Sequence, residues 1–358
     1  MQKSKISLAI AAGAALLALN DAAIAQAQGL KVEVSGQVNR AIMNVNDGVQ
    51  SNAFHVDTDT SSSRFRFAGS APVNPGLRAG VLFEVEFQSN PSNEVTFATQ
   101  DVSPTLLERH VDAFFEGRWG KLSLGQGDGA ANGGVEVDLS GTTVAHYAGV
   151  SDIGGAFAFR GPGGVLSSAT IASTIDRQDF ESRYDRVRYD TPVFGGFRVA
   201  GSLGSKDNGR DVTELALWYS GDLGALGRLA GAIGYSDQDA APGGIDDKVV
   251  GGSLSWLHTS GLNLTVGRTE RDLLGREGKF NYVKAGYKFG RHAVSADFAG
   301  SDDQAAAGDE GRMVGVAYVF TPVAWAEVYA AFKRHSLDRP GTTFEDIDIA
   351  LIGTRIKF

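Results

Sequence analysis

Four arginines and a handful of carboxylates are the residues in this chain whose types and spacing imply chemistry. Arg64 and Arg66 flank Phe65, and Arg186 and Arg188 flank Val187. In an extended chain, residues two apart share one face. Each pair therefore presents two fixed positive charges on one side, with Phe65, Phe67, Val187 and Tyr189 on the other. Glu84 and Glu86 oppose Val81, Phe83, Val85 and Phe87 in the same way. Signals for covalent chemistry are weak. The six histidines (His55, His110, His146, His258, His292 and His335) show no metal-ligand spacing and no H-E-x-x-H, so no resident cofactor is expected. Asp57-Thr58-Asp59 and Asp302-Asp303 are the places where outer loops could hold calcium loosely. His146 with Ser140 or Ser151 is the one arrangement a barrel hydrolase could use, but no G-x-S-x-G marks a nucleophile. Gly125-Gln126-Gly127-Asp128-Gly129 lacks the spacing of a phosphate loop and reads as flexible chain.

Composition narrows what carries these charges. There is no cysteine, and 47 of the 358 residues are glycine. Such a chain is not a disulfide scaffold and is rich in turns. The net charge of −9 argues against nucleic acid as a partner, since phosphate binding needs a basic face. Lys3 and Lys5, then the apolar run Ile6 to Leu19, then Ala23-Ile24-Ala25 and Ala25-Gln26-Ala27, form the pattern of a cleaved export signal. We expect residues 1–27 to be that signal and residues 28–358 to be one barrel. The run is too short for a spanning helix, which needs about 20 residues.

Two-residue alternation recurs to the end of the chain and predicts sixteen strands, starting near residues 31, 62, 78, 107, 121, 183, 197, 212, 226, 248, 261, 278, 291, 312, 324 and 345. Short connections such as Asn74-Pro75-Gly76 and Phe289-Gly290-Arg291 alternate with longer polar ones such as Asn46 to Ser61, Asn90 to Thr105 and Glu270 to Glu277. Short turns on one side and long loops on the other suit an antiparallel barrel in an outer membrane. Lipid then covers the apolar face, with lipopolysaccharide on the outer leaflet as a further partner. Closure satisfies the backbone. A barrel of about sixteen strands is too wide for side chains to fill and holds water. One connection breaks the pattern. From Gly127 to Ser182 no membrane-long strand appears, yet Val135 to Leu139, Val144 to Val150 and Ile153 to Phe159 are apolar. A loop folded back against the inner wall would need such stretches, and an exposed one would not.

Several motifs resemble the general porins of Gram-negative bacteria: Ser63-Arg64-Phe65-Arg66-Phe67-Ala68-Gly69, Val187-Arg188-Tyr189-Asp190-Thr191-Pro192, the closing Ile356-Lys357-Phe358, and Gly134-Val135-Glu136-Val137-Asp138-Leu139-Ser140-Gly141-Thr142 after Leu124-Gly125-Gln126-Gly127. The resemblance implies an all-β, sixteen-stranded antiparallel transmembrane barrel, exported to the outer membrane and assembled as a homotrimer. It also implies that the third loop (127–182) bends into the lumen and faces arginines across the narrowest point. Carried onto this sequence, the loop acids are Glu136 and Asp138, then Asp152, and the wall arginines are Arg64, Arg66, Arg186 and Arg188. Arg109 sits where the family often places another arginine, although it is in phase with Val111, Ala113 and Phe115 and would need a bulge to point inward. Arg40 shares the outward phase of Val38 and Ile42, which leaves neutral Gln37 and Asn39 facing in. Two unit charges about 4 Å apart interact by about 1 kcal/mol in bulk water and about 4 at an effective dielectric of 20. Opposed charges would therefore order the intervening water and disfavour bulky apolar solutes, while small hydrophilic solutes and ions diffuse through. A substrate-selective channel, and more remotely a barrel hydrolase, are the alternatives.

Overall fold

The computed structural model describes residues 31–206, 209–241, 244–273 and 275–358. The expected export signal lies outside them. Alternation produces a closed antiparallel sheet. Its strands are β1 (Lys31–Asn46), β2 (Ser51–Asp57), β3 (Arg64–Asn74), β4 (Leu77–Gln88), β5 (Thr105–Gly117) and β6 (Gly120–Asp128). A small hairpin, β7 (Ala158–Arg160) and β8 (Leu166–Thr170), follows outside the sheet. The sheet resumes with β9 (Arg183–Asp190), β10 (Phe197–Lys206), β11 (Arg210–Asp222), β12 (Arg228–Gln238), β13 (Asp247–Leu257) and β14 (Leu262–Leu273). It ends with β15 (Arg276–Phe289), β16 (His292–Asp302), β17 (Glu310–Val323), β18 (Ala326–Asp338) and β19 (Ile347–Lys357). Both β2 and β3 pair with β1, so they share one position and the barrel is sixteen-stranded. Pairing of β1 with β19, from Gln37 opposite Lys357 to Asn46 opposite Asp348, closes it.

Side chains sort by phase as the alternation requires. Val34, Phe67, Phe83, Leu215, Val266, Val316 and Ile352 are exposed on the outside. Gln37, Asn39, Glu84, Glu86, Ser202, Thr265 and Lys284 are buried on the inside.

Two connections differ from expectation. The Asn46 to Ser61 loop contains β2, and residues 58–63 then bulge inward. There Gln37 Nε2 donates to the carbonyls of Ser61 and Ser62, and Asn39 Nδ2 donates to that of Ser61. The buried amides of β1 therefore trade water for this inward kink. Asp57, the last residue of β2, and Asp59, inside the kink, face the interior and not an outer loop, where a calcium site would require them. Asp57 accepts from the Ser63 amide, and Asp59 accepts from Gln88 and Asn93. The described residues contain no group of three or more acids or histidines that could hold a metal. Finally, the Glu270 to Glu277 loop is a tight hairpin, because β14 and β15 extend until Leu273 pairs with Arg276.

Candidate functional site: the barrel lumen and its inward loop

Residues 129–182 turn into the barrel, and their apolar stretches explain why. Val144, Ala145, Val150, Ile153, Phe157, Phe159, Ile171 and Ile175 form one buried cluster with Met43 and Val45 of β1, Phe54 and Val56 of β2, Phe280, Met313 and Ile349. Ala131, Val135 and Phe180 form a second with Ala216 of β11 and Val249 of β13. Burial of this kind contributes roughly 25 cal/mol per Å² of apolar surface. The loop thus covers the inner faces of β11–β19, β1 and β2. It meets β9 and β10 only through its ends, where Ser202 accepts from the Ala130 amide, Lys206 pairs with Glu181 and Arg188 donates to the Gly129 carbonyl. The inner faces of β3–β6 and the arginines of β9 and β10 remain beside it as a charged wall.

That wall is a lattice of ion pairs. Arg109 Nε lies 2.6 Å from Glu84 and its Nη1 lies 2.5 Å from Glu86. Arg66 also pairs with Glu84. Arg64 approaches Glu84 at 3.9 Å. The sequence phase of Arg109 pointed outward, but the β4–β5 register shifts between Glu84 and Val85. His110 pairs with Glu84 and Glu108 with Val85, leaving Arg109 as the extra residue of a bulge. That bulge turns its side chain inward onto two carboxylates. Arg186 reaches Asp112 at 2.6 Å and the carbonyls of Gly125 and Asp128. Arg188 grips Asp190 with two bonds of 2.9 Å. Arg183 pairs with Asp128 at 3.0 Å.

The loop acids are held differently from the resemblance-based expectation. Asp138 does not face the arginine wall. It pairs at 2.7 Å with Lys284 of β15, and both side chains are fully enclosed. Glu136 and Asp152 do lie together, but Arg177 of the same loop sits between them, 2.6 Å from Glu136 and 3.0 Å from Asp152. Tyr147 also donates to Asp152. Burial raises Glu136, with the Asp152 charge adding to the rise, while Arg177 and wall Arg183 oppose it. Asp59 is pushed up to about 7 by burial and by the carboxylates of Asp152 and Glu86. Asp179 is pushed up to about 7 by burial and by Glu136. Glu136, Asp152 and Asp59 therefore share an electrostatic environment with Arg177, Arg183 and Glu86.

Sequence reading missed Arg177 and Lys284. The signal for Lys284 was present, since it shares the inward phase of Tyr282 and lies between the outward Val283 and Ala285. Nothing in the pattern around Arg177 marks it. Arg40 keeps its outward phase, yet its guanidinium bends to the Ser89 carbonyl at 2.8 Å. The hydrolase arrangement does not form. His146 Nδ1 bonds Asp297 of the wall at 2.8 Å, the Ser140 hydroxyl pairs with Thr142, and that of Ser151 pairs with Asp176.

Comparison with known proteins agrees with this architecture. The sequence model for Gram-negative porins matches residues 9–339. Outer membrane protein U of Vibrio parahaemolyticus is 27% identical over 247 residues, covering 67% of this chain and 64% of its own length. The chain thus spans less than two thirds of that relative. Among solved structures, the anion-selective porin from Comamonas acidovorans superposes with a TM-score of 0.64 at 18% identity, over 92% of this chain and all of that one. OmpT of Vibrio cholerae in a trimer form superposes with a TM-score of 0.59 at 15% identity, over 92% and 100% of the two chains. A family match across nearly the whole sequence, on a closed barrel with a polar inside and an apolar outside, places the chain in the Gram-negative porin family and in the outer membrane.

Proposed function

We propose that this protein is a channel, not an enzyme: a water-filled pore for passive diffusion of small hydrophilic solutes and ions across the outer membrane. The observation that carries the reading is the one-sided packing of residues 129–182. They line one half of the lumen and leave the other half as a wall of Arg64, Arg66, Arg109, Arg186 and Arg188. In this reading Glu136 and Asp152, with Asp59, form the acidic margin of the constriction and Arg177 moderates it. Asp138 anchors the loop. Water held between fixed charges of opposite sign is costly for an apolar solute to displace, and width and charge sieve the rest.

A trimer-form relative supports a homotrimer here, which native mass measurement in detergent would test. Lipid would cover the apolar belt. Outward ion pairs at the long-loop ends of the strands, Arg268–Glu270, Arg312–Glu310 and Arg334–Asp348, suit contact with lipopolysaccharide headgroups. Planar-bilayer recording in a potassium chloride gradient tests the pore. Wild type should give ohmic steps. Arg64→Ala/Arg66→Ala should shift the reversal potential toward cations, and Glu136→Gln toward anions. A barrel that never conducts would refute the channel, and unchanged potentials in both variants would refute the constriction.

A further inference from the structure

Toward the short-turn mouth, the arginine wall continues into a second charged feature. A groove of about 460 Å³ runs along it from Arg66 past Arg188 to Lys121 and Arg198, with Pro192 of the β9–β10 turn at its end. Asp190 lies at the centre of that end. Its carboxylate takes both bonds of Arg188 and also Arg198 at 3.1 Å. Lys121 is the direct cross-strand neighbour of Asp190. Its ammonium instead stands over the Phe114 ring, 4.6 Å from the centroid, and no carboxylate among the described residues pairs with it. Asp190 thus holds two arginines, while Glu116, the other cross-strand neighbour of Lys121, lines the same groove but is taken by Arg78. Arg198 is only partly used, since its side chain is 35% exposed and its other contact is the face of Trp218 at 5.4 Å.

Apolar surface adjoins these donors on the lumen side, where a wall that only holds water has no need of it. Leu82 lines the groove. Phe114 lies against Gly80, where an added Cβ would fall 2.5 Å from the ring, so the glycine is what lets the ring lie on the wall. A cation over an aromatic face beside a second, half-free guanidinium is suited to an anion with a hydrocarbon part.

We propose that this groove is a subsite for small organic carboxylates. The carboxylate accepts from Lys121 and Arg198, and a compact apolar body rests against Leu82 and Phe114. The assignment rests on the channel reading and adds to it a preferred class of solute, met after the constriction.

The test is block of single-channel potassium chloride current by benzoate at neutral pH, with acetate as the probe lacking an apolar body. Wild type should show saturable block by benzoate and several-fold weaker block by acetate. Lys121→Gln and Arg198→Gln should each raise the half-blocking benzoate concentration about tenfold, the loss expected for one charge-assisted hydrogen bond. Lys121→Arg should retain the block. Heat-resistant gel mobility of each variant reports that the barrel is intact. Benzoate block unchanged in both glutamine variants, or current that never saturates with benzoate in wild type, would overturn the subsite. Equal potency of acetate and benzoate would overturn the apolar contact. Absence of current in wild type would instead strike the channel reading itself.

Discussion

Lys284 and Asp138 form a fully enclosed ion pair, 2.7 Å apart, between a barrel strand and the loop inside the barrel. The Lys284 ammonium also donates to the His146 carbonyl at 2.5 Å and to the Thr142 hydroxyl at 3.2 Å. One side chain from β15 therefore holds three points of the loop, and it does so next to the apolar cluster that seats Val144, Val150 and Ile153.

The pair should act as a latch. Lys284→Met leaves the Asp138 charge buried without its partner, a change that costs about 3–5 kcal/mol. The barrel ladder does not depend on the pair, so the cost falls on the docked state of the loop. Limited proteolysis within residues 129–182 should accelerate, and single-channel current should become noisier, while the barrel keeps its gel mobility. Lys284→Met with Asp138→Leu should recover part of the docking, because no charge is then stranded. A double variant as labile as the single one would show that the hydrogen bonds to His146 and Thr142, not the ion pair, hold the loop.

Arg177 supports a prediction of opposite character, about charge and not docking. It pairs with Glu136 and Asp152 at once and offsets one of their two charges. Arg177→Gln should leave two like charges facing the lumen and raise cation over anion permeability, read as a reversal-potential shift in a salt gradient. The triple variant with Glu136→Gln and Asp152→Asn removes those charges and should reverse most of the shift. If Arg177→Gln alone leaves the reversal potential unchanged, these acids do not border the ion path.

Much of this was legible in the sequence, because a strand in a wet barrel writes its environment at every second residue. The phase of Val81 to Gln88 predicted which side of β4 meets lipid, and Arg64, Arg66, Arg186 and Arg188 all face inward as their phase required. Legibility failed where regular phase failed. Arg109 could not be placed without the bulge, which depends on pairing between β4 and β5 and leaves no local mark. Inside the loop there is no period to read. Its apolar stretches foretold docking, but the partner of each acid depends on tertiary contact. Asp138 and Glu136 are two residues apart and look equivalent, yet one meets a strand lysine and the other an arginine forty-one positions onward. The acidic tripeptide at Asp57 to Asp59 misled for the same reason, since polarity marks solvent in a loop and also marks a wet lumen.

Selectivity should depend on pH near neutrality. Asp59 and Asp179 are each pushed up to about 7, by burial first and by neighbouring carboxylates next. Below that value both are protonated and neutral. As pH rises through 7 each loses a proton and gains a negative charge, so the lumen becomes more acidic and cation preference should grow, with half the change near pH 7. Ordinary carboxylates, with pKa values near 4, are already charged across this window and contribute no change. His110 also faces the lumen, and loss of any proton it carries would move the potential in the same direction. The variants separate these sources. Asp59→Asn and Asp179→Asn should each remove part of the pH dependence of the reversal potential between pH 6 and 8, and together a larger part, whereas His110→Gln should leave the carboxylate part in place. A double asparagine variant that titrates like wild type would show that these two aspartates are not felt by permeating ions.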